Sequence, residues 1–288
     1  MVNKIKQNKL TFGLVLSLIF LAVIGFISYQ KFVLSQNNKE LPETELIFDA
    51  EGPYAVLTPR RDGNALILNL KRTASHDEIS YELAYISSSA DPESLDGDSS
   101  AGIERGVVGT IDTKDKKGEY QQEILFGTCS RNVCKYDEGV ENGTLTLHIK
   151  RGKERYRMVT TWHLQESDLA LGKLISGDGH FRLDMGGSRQ ELVNLGFVII
   201  HELTGVPKLP EGKQVLGKVY AANFSSIGNK ISADLNLELA EPPPQDAKLF
   251  RFDEGENSWK ELETKVDGNK LSSKTDGAGI FAVLTFKE

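Results

Sequence analysis

After residue 45, apolar and polar residues alternate with a period of two along most of this chain, and that pattern excludes most folds. Successive side chains of a β-strand point to opposite faces, so alternation describes a sheet that is buried on one side and wet on the other. Ile79, Tyr81, Leu83 and Tyr85 alternate with Glu78, Ser80 and Glu82. Leu145, Leu147 and Ile149 alternate with Thr146, His148 and Lys150, and Tyr156, Met158, Thr160, Trp162 and Leu164 share a face. Leu66, Leu68 and Leu70 do the same, and further strands are expected near 105–111 and 119–127. Arg151-Gly152-Lys153-Glu154 reads as the loop of a short hairpin.

The first series ends near Gln165–Asp168, and a second follows at about 180–185, 196–203, 215–224, 230–240, 247–253, 258–263, 270–274 and 279–286. Its clearest member sets Ile231, Ala233, Leu235, Leu237 and Leu239 on one face and stops at Pro242-Pro243-Pro244, because proline cannot donate to a ladder. Asp267-Gly268 and Asp276-Gly277 read as turns, and Ser188 to Leu195 as one short helical turn. The two series predict a mainly β fold, with antiparallel sandwiches of immunoglobulin-like type at 46–166 and 167–288. The connection from Ser87 to Gly106 is too long for a simple hairpin and reads as disordered. Its acids lack the spacing of an EF-hand loop, so no metal site is assigned there.

A different pattern precedes the alternation. Leu10 to Tyr29 holds twenty residues and no charge. A helix of about 20 residues spans the hydrocarbon core of a bilayer. Lys4, Lys6 and Lys9 precede it, and no acidic residue occurs before Glu40. The positive-inside rule then predicts a cytoplasmic tail at 1–9, a membrane helix at 10–29, a linker at 30–45 and an extracytoplasmic remainder. The stretch is longer than a signal-peptide core and lacks a small-x-small cleavage site, so it reads as a retained anchor in the cell membrane. Contact with the lipid bilayer is expected through this helix alone.

The formal net charge is −7, with 41 acidic and 34 basic residues. Five of the lysines lie before Glu40, so the extracytoplasmic part is more acidic than the chain as a whole. Such a surface repels phosphate backbones, which argues against nucleic acid as a partner.

Cys129 and Cys134 fall on the exported side, where a disulfide can persist. Their spacing suits a bond across the base of a tight hairpin whose loop is Ser130-Arg131-Asn132-Val133. The chain-entropy estimate for so short a loop is about 2 kcal/mol, a local staple.

Catalytic motifs are weak. His201-Glu202 opens like a zincin helix, but the second histidine position is Gly205 and Val198-Ile199-Ile200 reads as strand. If the 151–154 turn sets the register, His148 lies opposite residue 157 and not His163, so the two form no metal pair. LPETE at 41–45 has Glu45 where a sortase sorting signal has glycine, and reads as linker. Thr128-Cys129 resembles the nucleophile motif of sortases, with His76 upstream. Arg131 is too close and Arg151 too far to supply the sortase arginine, and Cys134 is placed to trap the thiol. P-loop, dinucleotide and serine-hydrolase fingerprints are absent. No catalytic, metal or cofactor residue is assigned, although dispersed carboxylates suffice for glycosidase chemistry. Asn142-Gly143-Thr144 and Asn223-Phe224-Ser225 match the glycosylation sequon by chance, and Asn142-Gly143 reads as a turn before the 144–150 strand.

The stretch ILFGTCSRNVCKYDEGVENGTLTL at 124–147, followed by TTWHLQ at 160–165, resembles membrane-anchored, β-rich, immunoglobulin-like envelope proteins of small-genome uncultured bacteria. The resemblance covers about 79–165. It implies an envelope setting and carries over no functional residue.

The expectation is therefore a single-pass extracytoplasmic protein that serves as a structural or interaction module of the cell envelope, with an envelope protein or surface polymer as partner. The alternatives are an exported thiol enzyme of sortase-like type and a ligand-binding ectodomain. Loss of all turnover of surface-polymer fragments on Cys129→Ala would distinguish the enzyme.

Overall fold

The computed structural model describes Tyr29 and residues 42–88, 102–115, 117–131, 133–226 and 232–287. The predicted membrane helix at 10–29 lies outside the described residues, apart from Tyr29. Among the described residues, no helix is long and apolar enough to cross a membrane.

Residues Glu43–Glu288 form one compact unit that is mainly β. Its N-terminal strands are β1 (Thr44–Glu45), β2 (Tyr54–Pro59), β3 (Ala65–Lys71), β4 (Glu78–Ser87), β5 (Ile103–Ile111), β6 (Glu119–Leu125), β7 (Gly127–Ser130), β8 (Val133–Tyr136), β9 (Asn142–Arg151) and β10 (Glu154–Glu166). Then come β11 (Lys173–Ile175), β12 (Phe181–Met185), helix α1 (Arg189–Leu195), β13 (Phe197–Glu202) and β14 (Lys213–Phe224). The last are β15 (Ala233–Glu238), β16 (Lys248–Asp253), β17 (Ser258–Glu261), β18 (Lys265–Asp267), β19 (Lys270–Thr275) and β20 (Gly279–Phe286).

One ten-stranded sheet runs in the order β17-β16-β20-β14-β13-β10-β9-β4-β5, with β1 paired to β10. It does not break near residue 166: the end of β10 pairs with β13 from Trp162↔His201 to Glu166↔Phe197. A three-stranded sheet, β2-β3-β6, and a five-stranded sheet, β11-β12-β15-β19-β18, complete the layers, and β7-β8 stands apart as a hairpin.

Alternation determines which layer covers which face. Ile79, Tyr81, Leu83, Leu145, Leu147, Ile149, Met158 and Trp162 bury against Leu57, Leu66, Leu68 and Leu70 of the small sheet. Val198, Ile200, Tyr220, Ala222, Phe281 and Val283 bury against Leu174, Phe181, Leu183, Leu235, Leu237 and Leu271 of the five-stranded sheet. The intervening residues of the central strands, Val219, Ala221, Ile280, Ala282 and Leu284, face the other way. There they meet Tyr54, Val56, Leu203 and Val206 in a third core. Each core residue of leucine size contributes about 1.5–3 kcal/mol by leaving water.

Because β2 is the inner edge of the small sheet, its outward backbone groups are buried where water cannot reach them. Side chains of the large sheet take over. His201 Nε2 lies 3.1 Å from Leu57 N and 3.2 Å from Ala55 O, Asn223 Nδ2 donates to Leu57 O at 2.8 Å, and Thr204 Oγ1 donates to Pro53 O at 3.1 Å. Leaving such groups unpaired costs about 1–3 kcal/mol each.

Two local readings change and a third holds. Ile103–Gly106 belongs to β5, so the β4–β5 connection is shorter than the sequence suggested, and residues 89–101 within it lie outside the described residues. Asn142-Gly143 is strand, because Gly143 is where the Trp162 ring lies on β9: a Cβ there would fall 2.2 Å from Trp162 Cζ2 and from Ala84 O. The helical turn is α1, and its start has a physical cause. Ser188 and Glu191 form a capping box, with the Glu191 carboxylate accepting from Ser188 N at 2.7 Å.

An acidic cleft beside the disulfide hairpin

A cleft of about 800 Å³ opens where four distant segments converge: the turn 62–64, the strand exit 136–141, the end of β10 and its following turn at 163–170, and Phe197. Local sequence fixes each wall. Gly63 has φ 72°, and an added Cβ would lie 2.3 Å from Phe197 Cζ, so only glycine lets this turn rest on the ring. Leu164 N donates to Glu141 O at 2.7 Å, which ties the 136–141 segment to β10. Ser88 N donates to Glu138 O at 2.8 Å and fastens the same segment to the end of β4.

Five carboxylates line the cleft: Asp62, Asp137, Glu138, Glu141 and Glu166. No lysine or arginine is among its described lining residues. Two of the five acids are already engaged. The Arg60 guanidinium grips Asp62 through Nε and Nη2 at 2.7 Å each, and this pairing holds the Asp62 carboxyl down at about 2. Arg60 also donates to Glu123 at 2.7 Å and lies 5.6 Å from the Tyr136 ring centre. Asp137 accepts from the Tyr85 hydroxyl at 2.8 Å and has Arg105 Nη2 at 3.7 Å. Burial, followed by that hydrogen bond, pushes the Tyr85 hydroxyl up to about 12. Tyr85 packs edge-on against Phe126 at 4.8 Å, and Phe126 stacks on Trp162 at 5.9 Å, so the tyrosine that holds Asp137 is anchored in the first core.

Glu138, Glu141 and Glu166 differ. Among the described residues their carboxylates carry no hydrogen bond or ion pair. His163 faces the same cleft with Nδ1 2.6 Å from Asn142 Oδ1, and burial lowers its pKa while Glu141 opposes the shift. Leu169, 70% exposed, adds an apolar lip. The cleft therefore offers three carboxylates without a side-chain partner among the described residues, and one apolar contact.

The disulfide predicted from spacing is present. Cys129 and Cys134 are directly opposed on β7 and β8 and bonded, with Cα atoms 4.0 Å apart. Ser130 and Val133 already pair in the ladder, so the loop is shorter than the four residues read from sequence. Arg131 takes φ 48° to close it.

The other sequence candidates do not converge. His76 precedes β4, whereas the hairpin side lies at the far end of that strand, roughly 30 Å away at about 3.3 Å per residue. The thiol and imidazole of a sortase-like pair are thus held apart. His148 sits opposite Arg157, as the turn register requires, and its Nδ1 is 2.8 Å from Glu43 Oε1. His201-Glu202 is strand β13. No group of three or more metal-ligating side chains occurs among the described residues.

A second polar cluster joins the β11–β12 turn to the large sheet. Asp178 accepts from Ser176 Oγ at 2.6 Å, Tyr220 OH at 2.7 Å and Lys218 Nζ at 2.9 Å, and Lys218 also donates to Glu202 at 2.8 Å. Burial pushes the Asp178 carboxyl up, but these hydrogen bonds outweigh it and hold the group below the usual carboxylate range. A glycosidase general acid needs the opposite shift. This cluster is a clamp between layers.

No family model matches the chain, and no curated protein matches it. Among solved structures, a partial likeness links it to the Kfla1895 D451A mutant at 10% identity, covering 80% of this chain and 29% of that one. The chain thus spans less than a third of that structure, and the TM-score of 0.17 supports no inference.

Proposed function

We propose that this chain is a single-pass, membrane-anchored interaction module of the cell envelope. In this reading residues 10–29 hold it in the bilayer, and two immunoglobulin-like sandwich lobes, 46–166 and 167–288, share the large sheet outside the membrane. The cleft beside the disulfide hairpin receives a lysine- or arginine-bearing segment of another envelope protein. The observation that carries the reading is the trio Glu138, Glu141 and Glu166, unpaired on a cleft whose described lining has no lysine or arginine. Complementary charge steers encounter and excludes acidic competitors more than it adds raw affinity.

The test is crosslinking on intact cells, with the partner identified by mass spectrometry and its binding measured for the wild type and for Glu138→Gln/Glu141→Gln/Glu166→Gln. The expected result is a basic partner segment, an affinity at least tenfold weaker in the triple variant, and a steep loss of binding with salt. A partner held equally well by the triple variant overturns the cleft as the docking site. N-terminal sequencing that begins after residue 25 overturns the anchor.

A further inference from the structure

Most sheet edges in this molecule are protected. An edge strand presents unpaired N–H and C=O groups to any passing strand, and proteins blunt such edges with shortness, charge or cover. Here β17 has four residues, and its Lys260 is held by Asp253 and Glu256. Strands β11 and β18 have three residues each. Strand β6 carries Glu119 and Glu123, paired with Lys71 and Arg60. The buried edge of β2 is capped by His201, Asn223 and Thr204.

Strand β5 is the least protected of them, its only charges, Glu104 and Arg105, lying at its start. It is nine residues long and ends the ten-stranded sheet. Its pairing with β4 is unbroken from Ile79↔Ile111 to Ser87↔Ile103, so no bulge twists it away. It contains no proline and no lysine, and Gly106 to Ile111 is uncharged. Its outward edge has no strand partner among the described residues. On its solvent face Val108 is 74% exposed, and Ile86 of β4 on the same face is 58% exposed.

We infer that β5 is a self-association edge: two copies of the chain pair their β5 strands antiparallel about a two-fold axis, which joins the two large sheets into one. The sequence of the strand selects the occupant and the register. A two-fold axis through Val107 opposes Ile103 with Ile111, Glu104 with Thr110, Arg105 with Gly109, Gly106 with Val108, and Val107 with itself. All nine residues pair, no like charges meet, and the exposed Val108 covers the bare backbone of Gly106. An axis through Arg105 sets two guanidinium groups against each other, and an axis through Val108 sets Glu104 against Asp112; like charges directly opposed are destabilising. A shift by one residue places core-facing side chains opposite solvent-facing ones. An isologous contact of this kind closes at two copies and leaves no edge for a third. The inference does not rest on the cleft, whose lining residues lie outside β5, although Arg105 lies 3.7 Å from Asp137.

The experiment uses the full chain in mild detergent, with mass followed by sedimentation over a range of concentrations. Wild type is expected to form a dimer, and Val108→Lys to weaken it at least tenfold. Val108→Lys tests the edge without threatening the core, because the side chain is exposed. Ser258→Lys, on the opposite edge of the sheet, should leave association unchanged. Register is tested by mixing chains carrying Gly106→Cys with chains carrying Val108→Cys. The mixture should crosslink under oxidation, while neither variant alone should. A monomer at every concentration, a dimer indifferent to Val108→Lys, or crosslinking that does not require the mixture overturns the inference.

Discussion

His201 and Leu57, 144 residues apart in sequence, meet with the imidazole Nε2 3.1 Å from the Leu57 backbone nitrogen. The ring is buried, its Nδ1 has no hydrogen-bond partner among the described residues, and Ala55 O lies 3.2 Å from the same Nε2. Only a neutral imidazole can accept from the Leu57 N–H, and burial accordingly lowers the His201 pKa to about 4.

Stability should therefore depend on pH in a defined window. The unfolded chain takes up the His201 proton near 6.5 and the folded chain only near 4. The stabilisation is present above 6.5, declines as pH falls, and is lost by about 4, a change of about 3 kcal/mol. His76 and His163, lowered in the same direction by burial, add to the slope. Urea unfolding at pH 7.5, 5.5 and 4 should show the decline, and His201→Gln should flatten it. An unchanged slope in that variant would exclude His201 as its source.

Asn223 should be a stability residue and not a glycan acceptor. Its Nδ2 donates to Leu57 O across the layers. Asn223→Ala leaves a buried carbonyl unpaired and should cost about 1–3 kcal/mol. Asn223→Asp, which replaces the donor with a negative charge, should cost more. Urea midpoints with an unchanged m value are the readout.

Gly143→Ala should strain the first core. The added methyl would lie 2.2 Å from both Ala84 O and Trp162 Cζ2, and overpacking of this kind costs about 1–3 kcal/mol. Trp162 should report the shift in near-ultraviolet circular dichroism. Gly106→Ala, where the nearest atom to an added Cβ is Leu83 O at 3.9 Å, is the neutral control.

Reducing the disulfide should loosen a hairpin and spare the fold. Strands β7 and β8 are largely exposed and contribute nothing to the three cores. The bond closes a very short loop, so its removal should cost about 2 kcal/mol at most. Amide exchange should quicken at 127–136 and stay slow in β9 and β10. Faster exchange throughout would show that the hairpin supports more than itself.

The fold was readable wherever a strand has one wet face. Ile79-Tyr81-Leu83-Tyr85 and Leu145-Leu147-Ile149 show their buried face in their spacing, and Ser188 to Leu195 was readable as a helical turn. Strand β2 escaped because YAVLTP is buried on nearly every side, which erases alternation, and it ends in proline. Strand β8 escaped for the opposite reason, being exposed on both faces. Strands β11 and β18 are too short to show a period. The disulfide was legible because its two members are local. The cleft was not: its walls come from residues 62, 137, 163 and 197, and only tertiary pairing brings them together. Nor could spacing show that His201 caps the backbone at Leu57.

That cap also orders events in time. Ribosomes deliver β2 long before β13 and β14, so the outer edge of β2 has no native cap until some 140–170 further residues have been made. Contacts of such separation make folding slow, and an incomplete chain exposes strand edges that invite mispairing. Assembly of this protein is therefore expected to finish late, with the last third of the chain closing what the first third leaves open, and a chaperone acting during synthesis would have most to protect in that interval.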